Sequence, residues 1–415
     1  MKICHIADTL PGYHKLWGGG AQSTYRIVKI LNKKGVENVI LATKPIKKID
    51  EEKEGFRFYA IPTSQDFLGE KIGGLLKRPF DPIVYFSSCR ILKKIKPDIV
   101  HVHSFGSLGF GVVLAAKKLN IPVIFSVYNY WCFCPSQTLM KSDNAICTEF
   151  HGPRCIKCLS EKSDLLQKIS LSKRKSIFDF FLFNKVDKFI ALSDFLSKLL
   201  QDYGIKKERI AVVRLPFKKI RLKKIKIKKN SILYAGFLVP RKGLHIIIEA
   251  MPRILREIPD ASLTIVGEED PHEAGYKAGI KELIKKYNLK KNVFLFERMP
   301  EPEFEQLINK SRLVVIPEQW NNMSPLLVIE SMMFGKGIVT TKMGGIPELI
   351  RHKKTGLLIK PFSSEDCAEK IIWALKNKKK IEKIGKKARE NAIKLFDEET
   401  ISNKLIDVYA SLIKK

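Results

Sequence analysis

A carboxylate, two glycine loops, a basic pair, two histidines and a cysteine cluster are the residues of this 415-residue chain whose types and spacing could do chemistry. Glu330 falls on the same helical face as Leu326, Leu327, Met333 and Phe334, and a carboxylate on an apolar stripe is costly unless something donates hydrogen bonds to it. Gly344-Gly345 follow a strand-like run and let a ligand approach the backbone closely. Gly18, Gly19 and Gly20 close a loop between a strand and a helix, which makes either a phosphate site or a simple flexible turn. Arg241 and Lys242 lie at a loop-to-helix junction, where a lysine aided by helix amides can meet a phosphate; an exposed capping loop is the alternative. His101 and His103, two apart on a strand, share one face, and at least one of them reads as buried and structural. Cys155-x-x-Cys158 is a knuckle that Cys134 and Cys147 could complete as a tetrahedral structural zinc site, with Cys132 and His151 nearby; buried or unpaired thiols are an equal alternative.

The elements that must position these groups read as two alternating α/β halves. Strands are expected at Lys2 to Ala7, Val39 to Ala42, Phe56 to Ile61, Ile99 to His103, Val123 to Val127, Phe189 to Leu192 and Ile210 to Leu215. A second series covers Ser231 to Ala235, Ser262 to Val266, Val293 to Phe296, Leu313 to Ile316 and Gly337 to Thr341. Between the last two, Ser324 and Pro325 signal a helix start and Gly335 its end. The lysine-rich Lys218 to Asn230 reads as a linker, which divides the chain into an amino-terminal domain, 1–217, and a carboxy-terminal domain, 231–396. Ile401 to Ile413 is amphipathic.

Composition narrows the class. An apolar content of 45% fits folded domains, and 75 basic against 43 acidic residues give a formal charge of +32. That excess points to an anionic partner: nucleic acid, a lipid surface or a phosphorylated substrate. The charge is scattered and no basic-aromatic recognition motif appears, which argues against nucleic acid. Lys173-Arg174-Lys175 precedes Ile177, Phe178, Phe180, Phe181 and Phe183, a segment that could dock on an anionic membrane or contribute to a core. The first ten residues read as a strand rather than a signal peptide, no apolar run is long enough to span a bilayer, and the cysteines suit a reduced compartment; a cytoplasmic protein is expected.

The stretch from Arg312 to Ile350 resembles the donor-site signature of glycosyltransferase family 4, retaining enzymes of the GT-B fold that use nucleotide-sugars. Glu330 matches the family glutamate that holds the ribose hydroxyls, and Gly344, Gly345, Pro347 and Glu348 match its glycine turn. Lys242 matches a lysine on the donor pyrophosphate, while Phe237 stands where the family has an arginine, a cation that Arg241 could supply instead. Asn322 stands where a second glutamate usually touches the sugar, and Tyr128, followed by Asn129, where a histidine usually contacts the sugar and incoming hydroxyl. Gly19 and Gly20 match glycines that face donor phosphate and acceptor. The resemblance implies two Rossmann-like domains facing a cleft, with residues 397–415 packing back on the first. It also implies hexosyl transfer from a UDP- or GDP-linked sugar to a glycan or lipid-linked hydroxyl, without an obligate metal. Tyr128, Asn322 and His103 would line the reacting groups. The replacements at Tyr128, Phe237 and Asn322 leave a second reading open, a catalytically degenerate GT-B protein that acts as a binding or scaffolding partner.

Overall fold

The structure, a computed structural model, describes residues 1–413 apart from 15–17, 69–79, 105, 107, 109, 142–144, 151–153, 160–164, 223–224 and 271–274. The chain divides into two compact units, Met1–Phe217 with Glu398–Lys415, and Lys218–Asp397.

Short apolar runs form the strands, and the central ones are buried on both faces, as expected where helices cover both sides of a parallel sheet. In the first unit these are β1 (Lys2–Ile6), β2 (Glu37–Ala42), β3 (Arg57–Ala60), β4 (Ile99–Val102), β5 (Val123–Ser126), β6 (Lys188–Ala191) and β7 (Ile210–Val212), in the order β3-β2-β1-β4-β5-β6-β7. The second unit holds β8 (Ser231–Ala235), β9 (Ser262–Val266), β10 (Val293–Phe296), β11 (Leu313–Ile316), β12 (Gly337–Thr341) and β13 (Leu357–Ile359), ordered β10-β9-β8-β11-β12-β13. Every pairing is parallel in both sheets. In each, the strand order reverses between the first strand and the fourth, so the carboxyl ends of β1 and β4, and of β8 and β11, open onto a crevice. These are doubly wound Rossmann-like sheets.

Lys218–Asn230, expected to be a linker, is instead part of the second unit. Its backbone is paired there: Lys228 N–H donates to Lys310 O at 2.8 Å, and Ile220 O accepts from the Arg389 guanidinium at 2.6 Å. The last helix, Glu398–Ile413, belongs with the first unit, where the buried Tyr409 hydroxyl meets His101 Nδ1 at 2.7 Å.

The phenylalanine-rich segment lies in helix Leu165–Asn184 and supplies core. Phe178 and Phe181 are buried, Phe181 stacking on Phe110 at 3.9 Å between ring centroids, whereas Phe180 is exposed. Arg174 is also drawn inward, its guanidinium 3.9 Å from the Phe178 ring centroid. No described helix is long and apolar enough to cross a membrane.

One buried charge fixes a corner of the first unit. Helix Glu51–Glu54 starts at Asp50, whose side chain accepts from Lys53 N–H, and delivers Glu54 into a core of Leu10, Val28, Ile40 and Phe56. The Glu54 carboxylate, 7% exposed, accepts from Tyr13 and Tyr25 hydroxyls at 2.6 Å each and pairs with Lys29 at 2.7 Å. Burial pushes its carboxyl up, but Lys29 and the two hydroxyls outweigh that and leave it below the usual carboxylate range. A lowered folded-state value stabilises above the unfolded value of about 4.3 and is lost as pH falls through the folded one. Glu54→Gln should therefore cost about 2–3 kcal/mol at pH 7, with the half-buried Lys29 keeping the figure moderate. The difference should shrink toward pH 3, as denaturant melts at both pH values would show.

Candidate functional site

In the second unit three loops meet at the carboxyl ends of β8, β11 and β12. After β8 the chain makes a tight turn, Pro240–Lys242, and enters helix Leu244–Glu257 through Gly243 at φ 71°. A Cβ on Gly243 would lie 2.0 Å from Pro317 O, so this glycine lets the first loop lie directly on the loop after β11. Gln319 N–H closes the contact by donating to Arg241 O at 2.7 Å.

The centre of this contact is Glu318. Its carboxylate is 3% exposed, and Oε1 accepts from Lys242 Nζ at 2.6 Å and from Asn322 Nδ2 at 3.0 Å. Trp320 Nε1 donates to Oε2. Lys242 Nζ lies 5.5 Å and the Arg241 guanidinium 5.8 Å from the Trp320 ring centroid, so the indole carries two cations. Arg241 also faces Asp270 at 3.9 Å, and burial lowers its pKa. The third loop joins through Gly344, whose N–H donates to Asn321 Oδ1 at 3.1 Å, and Gly345, whose N–H donates to Asn322 O at 2.8 Å.

The structure thus brings Lys242, Asn322, Gly344 and Gly345 together, with Arg241 beside them. Glu330 stands on helix Leu326–Met333, which rises from the same loop. The expected face of that helix needs correction. Val328, Ile329, Met332 and Met333 are buried, while Leu326, Leu327 and Glu330 share the half-exposed side. Asn322, expected to line a sugar, is a brace: it is 9% exposed, and its amide is spent on Glu318 and on Ser324 N–H. Phe237 is 44% exposed and makes no part of the cluster. Glu318 and Trp320 were not expected, because Glu318 to Met323 has no periodicity; a carboxylate directly after a buried strand was their one signal.

In the first unit, Gly18 caps helix Gly19–Lys33, and a Cβ on Gly20 would lie 3.5 Å from Tyr128 Cβ. Tyr128 follows β5, and its hydroxyl meets His103 Nδ1 at 3.1 Å. Both residues border a cavity of about 240 Å³ lined also by Asp8, Asn129, Trp131 and Gln137. Asp8 is anchored by the Ser104 hydroxyl and by Leu108 N–H. Burial pushes the Tyr128 hydroxyl well up, so it stays protonated at neutral pH. His101 does not reach this cavity; its ring nitrogens are taken by Tyr409 and Ser126. His5 and Asn38, absent from the sequence reading, stand behind His103.

Among the described residues, no three of the cysteines bring their sulfurs within 4.8 Å of one another. Cys134 is buried, and Cys147, Cys155 and Cys158 are half-buried. Cys155 and Cys158 sit on helix Arg154–Leu159, while Cys147 is held by its N–H to Leu139 O at 2.7 Å. Among the described residues, the one trio of ligating side chains with atoms within 4.8 Å is His5, His101 and His103. His151 lies outside the described residues.

Comparison with known proteins decides the family. The model of Glycosyltransferase Family 4 matches residues 17–216, and that of Glycosyl transferases group 1 matches residues 217–391. The chain belongs to this glycosyltransferase family. It is 29% identical to spore coat protein SA of Bacillus subtilis over 44% of this chain and 48% of that protein. It is 26% identical to sulfoquinovosyl transferase SQD2 of Arabidopsis thaliana over 80% of this chain and 61% of that one. The matches thus span less than two thirds of either relative's length. HepE of Anabaena, crystallised with UDP-glucose, superposes with a TM-score of 0.71 at 17% identity, covering 99% of this chain and 100% of HepE. Sucrose-phosphate synthase of Thermosynechococcus elongatus gives 0.72 at 18% identity, covering 100% and 99%. The chain has the GT-B fold of two Rossmann-like domains.

The loop contact in the second unit yields a test. Gly344 has φ 55°, and a Cβ there would lie 2.3 Å from Asn322 O and 2.7 Å from Asn322 N. Gly344→Ala should cost roughly 2–4 kcal/mol by combining left-handed strain with a backbone collision. Denaturant melts should show the loss, while Gly279→Ala, with no atom within 4 Å of its Cβ, should leave stability unchanged or raised.

Proposed function

We propose that the protein is a retaining glycosyltransferase that moves a hexosyl group from a UDP- or GDP-linked sugar to a hydroxyl of a glycan or lipid-linked acceptor. Its place would be in the synthesis of cell-surface polysaccharide or glycolipid. The observation that carries the reading is the Lys242–Glu318 cluster at the strand-order reversal of the second sheet, where the family places its donor. Lys242, a point charge next to the amides that begin helix Leu244–Glu257, would meet the diphosphate, with Arg241 as a second cation. Negative charge grows on that diphosphate as the glycosidic bond breaks, and fixed cations and amides stabilise it; the departing phosphate oxygen can take the acceptor proton. Glu330 would accept from the ribose hydroxyls, and Gly344-Gly345 would let the donor approach the backbone. No metal is required by this chemistry. HepE, crystallised with UDP-glucose, supports a nucleotide-sugar donor.

A second reading, a degenerate GT-B scaffold, is favoured by one observation. Glu318 already pairs with Lys242, so the ammonium is part-neutralised before any phosphate arrives. The two separate by product analysis: turnover of a nucleotide-sugar with the anomeric configuration kept, followed by proton NMR, belongs to the first alone.

Calorimetry on the full chain tests the donor site. UDP or GDP should bind, and Glu330→Gln should weaken nucleoside and nucleotide alike by roughly 1–3 kcal/mol, the loss of a charge-assisted hydrogen bond. Lys242→Ala should weaken the diphosphate and leave the nucleoside nearly untouched. If wild type binds neither diphosphate, or both variants match wild type, the assignment is wrong.

A structural zinc on Cys134, Cys147, Cys155 and Cys158 also remains a proposal, and it would require these thiols to draw together. Elemental analysis of protein purified without added metal should then find close to one zinc per chain, because a closed thiolate site is tight; below about 0.2 equivalents with reactive thiols, the idea fails. Cytoplasmic location with peripheral contact to the inner membrane face belongs to the same reading and rests on the charge of +32.

A further inference from the structure

His5, His101 and His103 are buried side by side, His5 opposite His101 in the β1–β4 register. Their nearest nitrogens would suit a metal ion by spacing, yet each of the six ring nitrogens already has a protein partner. The branch through His5 and His103 has a further property: its protons can be placed one after another from a fixed end.

That end is a backbone carbonyl. Val36 O can only accept, and Asn38 Nδ2 donates to it at 2.8 Å, so Asn38 Oδ1 is the atom turned to His5 Nε2 at 2.8 Å. The proton between them must therefore sit on His5 Nε2. Burial lowers the His5 pKa to about 4 and holds His103, which also feels His101 and His5, well below the ordinary range; each ring carries one proton at neutral pH. His5 Nδ1 is then a lone pair that accepts from His103 Nε2–H at 2.9 Å. His103 Nδ1 is in turn a lone pair, and it accepts from the Tyr128 hydroxyl at 3.1 Å.

We infer that Asn38, His5 and His103 form a one-way hydrogen-bond chain that turns the Tyr128 proton inward, so that Tyr128 offers its cavity oxygen lone pairs alone and selects a ligand hydroxyl or amine that donates to it. The inference rests on the proposed function in taking this cavity as the acceptor's. Ser126 and Thr24 stand beside the same oxygen; Ser126 Oγ also meets His101 Nε2 at 2.8 Å, and Thr24 spends its own proton on Gly20 O at 3.0 Å. Asp8, on the cavity wall, is likewise an acceptor held by donors behind it. These two acceptors suit the hydroxyl groups of a sugar or polyol and disfavour a carboxylate, phosphate or carbonyl in contact with Tyr128. Asn38, His5 and His103 are positioning residues in this scheme, since they act through the tyrosine.

The chain can be read without any substrate, so its failure is distinct from failure of the glycosyltransferase reading. Nitrogen NMR of the full-length protein with labelled histidine, at pH 7, distinguishes a protonated ring nitrogen from a bare one by a large downfield shift of the latter. The expected result is a neutral Nε2–H tautomer at both His5 and His103. In Tyr128→Phe both tautomers should persist, because the direction is set from the Asn38 end. An Nδ1–H tautomer at either ring, an imidazolium at pH 7, or a tautomer change at His5 in the Tyr128→Phe protein would overturn the inference. So would a shift of these nitrogens on adding zinc to the wild-type protein, which would assign the trio to a metal instead.

Discussion

A buried carboxylate at the strand-order reversal of the second sheet is what the remainder of that unit's functional face depends on. Glu318 cannot sit 3% exposed without donors, and the three it finds come from Lys242, Asn322 and Trp320. Satisfying it ties the loop after β8 to the loop after β11, and Asn321 and Asn322 then carry the connection to the glycine turn after β12. The loops are thus set in relation to one another before any ligand is considered. Removing the carboxylate would leave Lys242 and the indole N–H without the acceptor that now fixes them.

Both sheets apply the same rule in different chemistry. In the second, charge is gathered at the reversal between β8 and β11. In the first, the reversal between β1 and β4 carries stacked neutral imidazoles, with His103 facing His5 at 5.2 Å and His101 at 3.9 Å between centroids. A charged pair suits an anionic diphosphate, and an uncharged polar relay suits hydroxyl groups. The family assignment and the proposed division of donor and acceptor between the units agree with that contrast.

Much of the architecture could be read from the sequence because strand-length apolar runs bounded by turn residues recur at regular spacing. The glycine at the end of helix Leu326–Met333 was legible for the same kind of reason, and Gly335 does take φ 64°. Its buried face was not, since six of the eight residues in LLVIESMM are apolar and the period carries almost no signal. Glu318 escaped notice because its cationic partner, Lys242, lies 76 residues away in sequence. His5 and Asn38 escaped for a similar reason: neither forms a motif, and their roles depend on strand register. Lys218–Asn230 misled by composition, as its described lysines are exposed while Ile220 and Lys228 pair their backbone within the second unit.

The first unit is closed by a helix that follows the whole second unit in the chain. Tyr409 is 308 positions beyond His101, and Ile401 and Leu405 pack beside Ile27 and Leu31 of the first helix. During synthesis the ribosome must finish the whole second unit before this helix exists. Until then the early half carries an apolar strip and an unsatisfied buried imidazole, so the later half has the opportunity to complete its core first. Completion of the first unit thus waits on residues translated after the second.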